Sequence, residues 1–152
     1  MAALIWVSHV EGPLQVDKLC HTLAVEVASM DFNTANVPSI SILIGCCQWL
    51  ITVDQEASSV HWIHFTLQEY LSGHPGVFSG PHSEMAKMCL TFLNSREIRA
   101  LSNARFHNTR NTSFLEYCSV YWGIHAQKEL LDSLRSLALE LLNEHYGLIL
   151  TK

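Results

Sequence analysis

Residues 50–69 read LITVDQEASSVHWIHFTLQE. Leu50-Ile51-Thr52-Val53 and Val60-His61-Trp62-Ile63-His64 are short runs rich in β-branched and aromatic residues. The polar Asp54-Gln55-Glu56-Ala57-Ser58-Ser59 lies between them, so the two runs are expected to pair as an antiparallel hairpin. Immediately behind, Thr66-Leu67-Gln68-Glu69 has the spacing of a capping box, which predicts a helix start there and an end near Gly73-His74-Pro75-Gly76.

What precedes the hairpin fixes the architecture. Leu4 to Val10 reads as the end of a helix closed by Gly12-Pro13. Asp17 is placed to cap a second helix, with Leu19, Leu23 and Val27 along one face. Residues 30–37 read as a polar loop, after which Pro38-Ser39 opens a third helix with Ile40, Leu43, Ile44, Cys47 and Leu50 as a broad apolar face. Helix, helix, helix, hairpin, helix is the order of a winged-helix unit and its exit helix, assigned here to residues 1–75.

Residues 76–152 read as helices throughout. Past the glycine- and proline-bearing stretch 73–81, Ser83 is placed to cap a helix carrying Met85, Met88, Cys89, Phe92 and Leu93. A polar connector at 102–113 holds Arg105, His107 and Arg110, which stand open as solvated surface or as a partner contact. Two more helices follow, one with Phe114, Leu115, Cys118, Tyr121 and Trp122, the other with Leu130, Leu134, Leu137, Leu141 and Leu142. Gly147 is placed as the C-cap of the second, and Leu148-Ile149-Leu150 as the start of an element the chain does not complete. The expected fold class is mainly α: a winged-helix unit with one small β-hairpin, followed by a helical bundle or spacer.

Of the 152 residues, 49% are hydrophobic and 15% charged. The charged share is below the roughly 25% usual in soluble domains, so some apolar surface is expected to meet a neighbour, as in a segment of a larger protein. Residues 1–86 carry one basic side chain, Lys18, against eight acidic ones, net −7, whereas residues 87–152 carry eight against six, net +2. The start of the chain lacks a basic region and a cleavage-like site, and no run approaches the ~18 apolar residues of a membrane span. A cytoplasmic protein with no membrane partner is expected. Cys20, Cys46, Cys47, Cys89 and Cys118 have no repeated spacing and sit among apolar residues, which predicts buried, reduced thiols.

No Gly-x-x-x-x-Gly-Lys-Ser/Thr, Gly-x-Ser-x-Gly, His-Glu-x-x-His or Cys-x-x-Cys occurs. His61 and His64, three apart on a strand, point to opposite faces, so no metal site is expected. Cys46-Cys47 lie on an apolar helical face without a basic neighbour to lower a thiol pKa, which argues against a nucleophile. The third helix, where a winged helix would enter the major groove, carries no Lys or Arg, and phosphate neutralisation depends on them; no nucleic-acid partner is expected.

Leu4-Ile5-Trp6-Val7-Ser8, Pro13-Leu14-Gln15-Val16-Asp17-Lys18-Leu19-Cys20-His21-Thr22-Leu23-Ala24 and Ile63-His64-Phe65-Thr66-Leu67-Gln68-Glu69-Tyr70-Leu71 resemble one known domain. It is the winged-helix domain that follows the NACHT nucleotide-binding module in fungal ankyrin-repeat proteins of the STAND class, also described as GPI inositol-deacylase-like. The stretch 82–146, with Phe114-Leu115-Glu116-Tyr117 and Tyr121-Trp122-Gly123, looks like the spacer before their ankyrin repeats. The resemblance implies a non-catalytic signalling segment that docks on the NACHT module and links it to the repeats. It holds no catalytic residue and no cofactor of its own, ADP or ATP being bound by the NACHT module.

Ile63-His64-Phe65 resembles the Met-His-Asp motif of that class, whose histidine faces the β-phosphate of ADP; Phe65 stands where the motif has aspartate. Two roles stay open for His64: phosphate sensor, or a residue that finishes the strand and satisfies a backbone carbonyl. The physics of the junction favours an anion, because unpaired N–H groups and the helix dipole meet at a helix N-terminus. Trp62 and Tyr70 read as core. Two other functions stay open: a stand-alone helical protein–protein adaptor, and a hydrolase, suggested only by the deacylase in the domain's name and unsupported by any Ser/His/Asp arrangement.

Overall fold

The computed structural model describes residues 1–27, 31–32, 34–103, 112–129 and 131–150. Among them the chain is mainly α and divides into two compact units, one made of residues 1–24 and 34–81, the other of residues 25–33 and 82–152.

The first unit is built around the hairpin. Strand β3 (Ile51–Asp54) pairs with β4 (Ser59–Trp62) in the register Ile51↔Trp62, Thr52↔His61, Val53↔Val60 and Asp54↔Ser59. Asp54 Oδ1 accepts the N–H groups of Glu56 and Ala57 at 2.9 and 3.1 Å, which tightens the turn. Ile51, Val60 and Trp62 are buried while His61 is exposed. A third segment joins the pair: Val60 N–H donates to Leu14 O at 2.8 Å and Val16 N–H to Ser58 O at 3.0 Å, with Gln15 bridging Ser59. Helix α1 (Ala2–His9), with Trp6 fully buried, packs against α2 (Val16–Leu23), β4 and α4 (Phe65–Gly73).

Helix ends in this unit follow tertiary pairing more than local caps. Gln15, not Asp17, is the N-cap of α2, because the extended Gln15 is already held against the wing; Asp17 lies in the first turn, where it complements the dipole. The helix stops at Leu23, so Val27 is not on its face, and the span expected as loop holds strand β2 (Asp31–Phe32) and a 3₁₀ turn at Thr34–Asn36. Helix α4 starts at Phe65 with His64 as N-cap, so Thr66 falls inside the helix and the capping box does not form. The reason is that Ile63 N–H still pairs with Leu50 O at 2.9 Å, leaving one residue between strand and helix.

Ser39 caps α3 (Ile40–Cys46), its Oγ accepting Ile42 N–H at 3.5 Å. The helix ends before Leu50, in two bonds: Gln48 N–H to Gly45 O at 3.0 Å and Trp49 N–H to Ile44 O at 3.1 Å. That is a Schellman closure, whose left-handed position glycine usually fills; here Gln48 (φ 52°) and Trp49 (φ 60°) occupy left-handed backbone. Three histidines close other helices. Nδ1–H of His9, His21 and His74 donates to the carbonyl four residues earlier, Ile5, Asp17 and Tyr70, at 3.2, 2.6 and 2.7 Å.

The second unit opens with β1 (Val25–Glu26) paired to β2 in the register Val25↔Phe32, Glu26↔Asp31, a second small sheet that the sequence reading lacks. Phe32 meets Phe92 edge-on at 5.0 Å, and Phe92 meets Phe114 at 4.7 Å, all three fully buried or nearly so. Helices α5 (Pro81–Asn94), α6 (Arg96–Asn103), α7 (Thr112–Lys128) and α8 (Asp132–Leu150) complete it. Met85, Met88, Cys89, Phe92 and Leu93 are buried as their spacing predicts, and Ala86, Leu90, Ala126, Leu134 and Leu137 form a core cluster.

Ser83 lies within α5 instead of capping it; its own N–H donates to Glu129 Oε2 at 2.9 Å, so an acid from α7 does the work of a cap. α8 continues through Gly147 to Leu150, so neither the C-cap nor a new element at Leu148 forms. Arg105, His107 and Arg110, and also Leu130, lie outside the described residues.

Replacing Gln48 by glycine removes the Cβ conflict of a left-handed residue, which predicts a gain of about 1 kcal/mol. Urea unfolding of the full chain measures it; unchanged or lower stability would show that the closure is unstrained.

Candidate functional site

β4 positions the candidate site by delivering the chain straight into α4. His64 has extended backbone (φ −131°, ψ 134°), its carbonyl accepts Leu67 N–H at 3.1 Å, and its exposed imidazole makes no cap hydrogen bond.

The surroundings of His64 are apolar and uncovered. The hairpin pairing continues from Ile51↔Trp62 to the bond between Ile63 N–H and Leu50 O, and Trp49, the residue before Leu50, belongs to the closure of α3. Trp49 is 70% exposed, Phe65 70%, Tyr70 55%, Ile63 45% and Leu50 37%, and α4 buries none of its residues. Trp62 is buried as expected, but Tyr70 is not core: it stacks on His74 at 4.1 Å and faces out. Glu69, one helical turn beyond Phe65, is exposed.

Basic side chains are scarce in residues 1–86. Lys18, the single Lys or Arg in residues 1–86, donates from Nζ to Pro13 O at 3.1 Å. α3 carries no charged residue in its Ile40–Cys46 span, and Ile42 on it is 59% exposed.

The thiols divide four to one. Cys20, Cys47, Cys89 and Cys118 are buried and Cys46 is exposed, contrary to the expectation of five buried thiols; none of the five forms a disulfide. Cys46 turns outward because α3 buries only Leu43 within its span. Burial pushes the Cys47 thiol pKa up, helped by Cys46 and opposed by the N-terminal ammonium. Burial and then Asp17 raise that of Cys20. Neutral thiols make poor nucleophiles and poor ligands. Among the described residues no three His, Cys, Asp or Glu gather as a metal set.

One polar constellation escaped sequence reasoning. His125, fully buried on α7, lies with Nε2 2.7 Å from Tyr117 Oη and Nδ1 2.8 Å from Nδ1 of His82 on α5. The available signal was local: Tyr117, His125 and Glu129 recur at helical spacing on the apolar side of α7.

Residues 1–101 match the family described as GPI inositol-deacylase, winged helix domain. The chain belongs to this winged-helix family. The match spans the wing, the His64 junction and α5. No curated protein and no solved structure matches the chain. Among the described residues, no helix of this winged-helix protein is long and apolar enough to cross a membrane.

With iodoacetamide at pH 8, Cys46 is expected to alkylate at least tenfold faster than Cys20 or Cys47. Peptide mass spectrometry over time reads this, and equal rates at the three sites would contradict their burial.

Proposed function

We propose that this winged-helix protein is a non-catalytic regulatory segment that docks on the NACHT nucleotide-binding module of a STAND-class switch protein and connects it to ankyrin repeats. The observation that supports it is the face around His64. A helix carrying Phe65, Leu67, Tyr70 and Leu71 that buries none of them, beside an outward Trp49, leaves apolar area that a partner would take from water. Full burial of one such side chain contributes about 1.5–3 kcal/mol.

In this reading Trp49 and Phe65 are the anchors, large aromatics at the centre of a patch, and the sparse charge around them lowers the desolvation cost of docking. His64, the N-cap just before Phe65, reaches the β-phosphate of ADP held by the module, with ADP and ATP as the module's cofactors. Docking in the ADP state holds the switch off; loss of the phosphate contact shifts the population toward release. Catalysis, if the complete protein has any, belongs to other parts of it.

A second reading is favoured by a separate observation: Val120, Ile124, Leu139 and Leu142 of α7 and α8 are also exposed. They suit a stand-alone helical adaptor, and concentration-dependent self-association of the full chain would favour it.

Binding of the full chain to a separately produced NACHT module, with and without ADP, tests the switch. Phe65→Ser is expected to weaken docking by about 10–100-fold while leaving the urea midpoint nearly unchanged, because Phe65 is already exposed in the free chain. His64→Ala is expected to remove the ADP dependence. Docking indifferent to ADP and to His64→Ala would overturn the phosphate-sensing role, and absence of docking by two folded partners would overturn the whole reading.

A further inference from the structure

The His82–His125–Tyr117 chain lies in the second unit and plays no part in the docking face. Two imidazole nitrogens facing each other at 2.8 Å require one proton between them, since one must donate and the other accept. The rings are nearly parallel, 26° apart with centroids at 5.1 Å. A shared metal ion is the weaker account. Tetrahedral zinc with ~2.0–2.1 Å bonds spaces its nitrogens by about 3.4 Å, and among the described residues no third ligand completes the set.

We propose that this chain is a proton-counting clasp between α5 and α7, closed while the histidine pair holds no more than one extra proton and opened by a second. In the neutral pair one Nδ1–H donates to the other ring's Nδ1, and a hydrogen bond joins His125 Nε2 to Tyr117 Oη. With the first added proton both outer Nε2 atoms are protonated, and the hydrogen bond between the two Nδ1 atoms is kept. A second has no site but the accepting Nδ1 of the pair, whose lone pair the clasp uses. Placing it there sets two N–H groups nose to nose and two cations side by side in a fully buried site.

The charged groups of the neighbouring elements are Glu84 and Lys87 on α5, Lys128 and Glu129 on α7, and Asp132 and Arg135 at the start of α8. Glu129 is tied to the clasp, its Oε2 accepting the N–H of Ser83, the residue next to His82, so one positive charge is tolerated there. Asp132 and Arg135 pair with each other at 3.5 Å and are exposed. In the unfolded chain both histidines take protons near pH 6.5. Below about pH 6 the unfolded state therefore holds one proton more than the folded state. The unfolding constant then rises about tenfold per pH unit, so stability falls with acid.

The test is urea unfolding of the full chain between pH 7.5 and 5, compared with His82→Glu. A carboxylate at 82 accepts from a cationic His125, so acid no longer opens the clasp and the tenfold-per-unit excess of the wild type over the variant is expected between pH 6 and 5. Equal slopes in the two proteins would overturn the proposal. Should the variant not fold, ¹⁵N-detected imidazole spectra of the wild type decide it alone. At most one imidazolium is expected in the pair while Tyr117 stays packed, and two in the folded protein would sink the idea.

Discussion

Two backbone hydrogen bonds, Val60 N–H to Leu14 O and Val16 N–H to Ser58 O, carry the winged-helix unit. They tie the connector between the first two helices to the wing, segments far apart in sequence. Once they form, the pleat of β4 is fixed, Trp62 and Val60 turn inward, and a slip of one residue would send both to solvent. The same pairing holds Gln15 extended and so sets where α2 begins. At the other end of β4, pairing that persists to Ile63 forces the turn into α4 within one residue and leaves His64 on the rim.

The hairpin and helices were legible because each carries a local signal: β-branched runs at 51–53 and 60–63, a Ser39 cap, a methionine- and phenylalanine-lined face at 85–93. What was not legible depends on partners distant in sequence. Helix starts were read at Asp17, Thr66 and Ser83, but strand pairing of Gln15 and Ile63 sets where α2 and α4 begin, and Glu129 from α7 takes the N–H of Ser83. Tyr70 and Cys46 sit at apolar spacing yet face outward because α4 and α3 bury so little of themselves. Of the candidate site, the strand–helix junction at His64 was readable from pattern, whereas the uncovered Trp49 depends on a left-handed helix end that no glycine announces. His82 and His125, 43 residues apart, had no sequence signal linking them.

The histidines illustrate how one residue type serves different physics. His9, His21 and His74 donate to the carbonyl four residues earlier in the last turn or C-cap of their helices and so are bound into the scaffold. His61 and His64 stand in solvent, one on the wing and one at a helix start, while His125 is sealed inside a hydrogen-bonded chain. Composition alone counts nine and suggests a metal; the distribution of their partners gives them separate structural tasks.

The short β1–β2 pair has an effect on heredity. The chain leaves the first unit after Ala24, contributes residues 25–33 with Phe32 to the second, returns for the wing, and crosses again after Pro81. Units threaded in this way cannot be exchanged whole by one crossover, because any single junction divides at least one of them. Exchange of the second unit intact requires junctions on both sides of residues 25–33 and a third after Pro81.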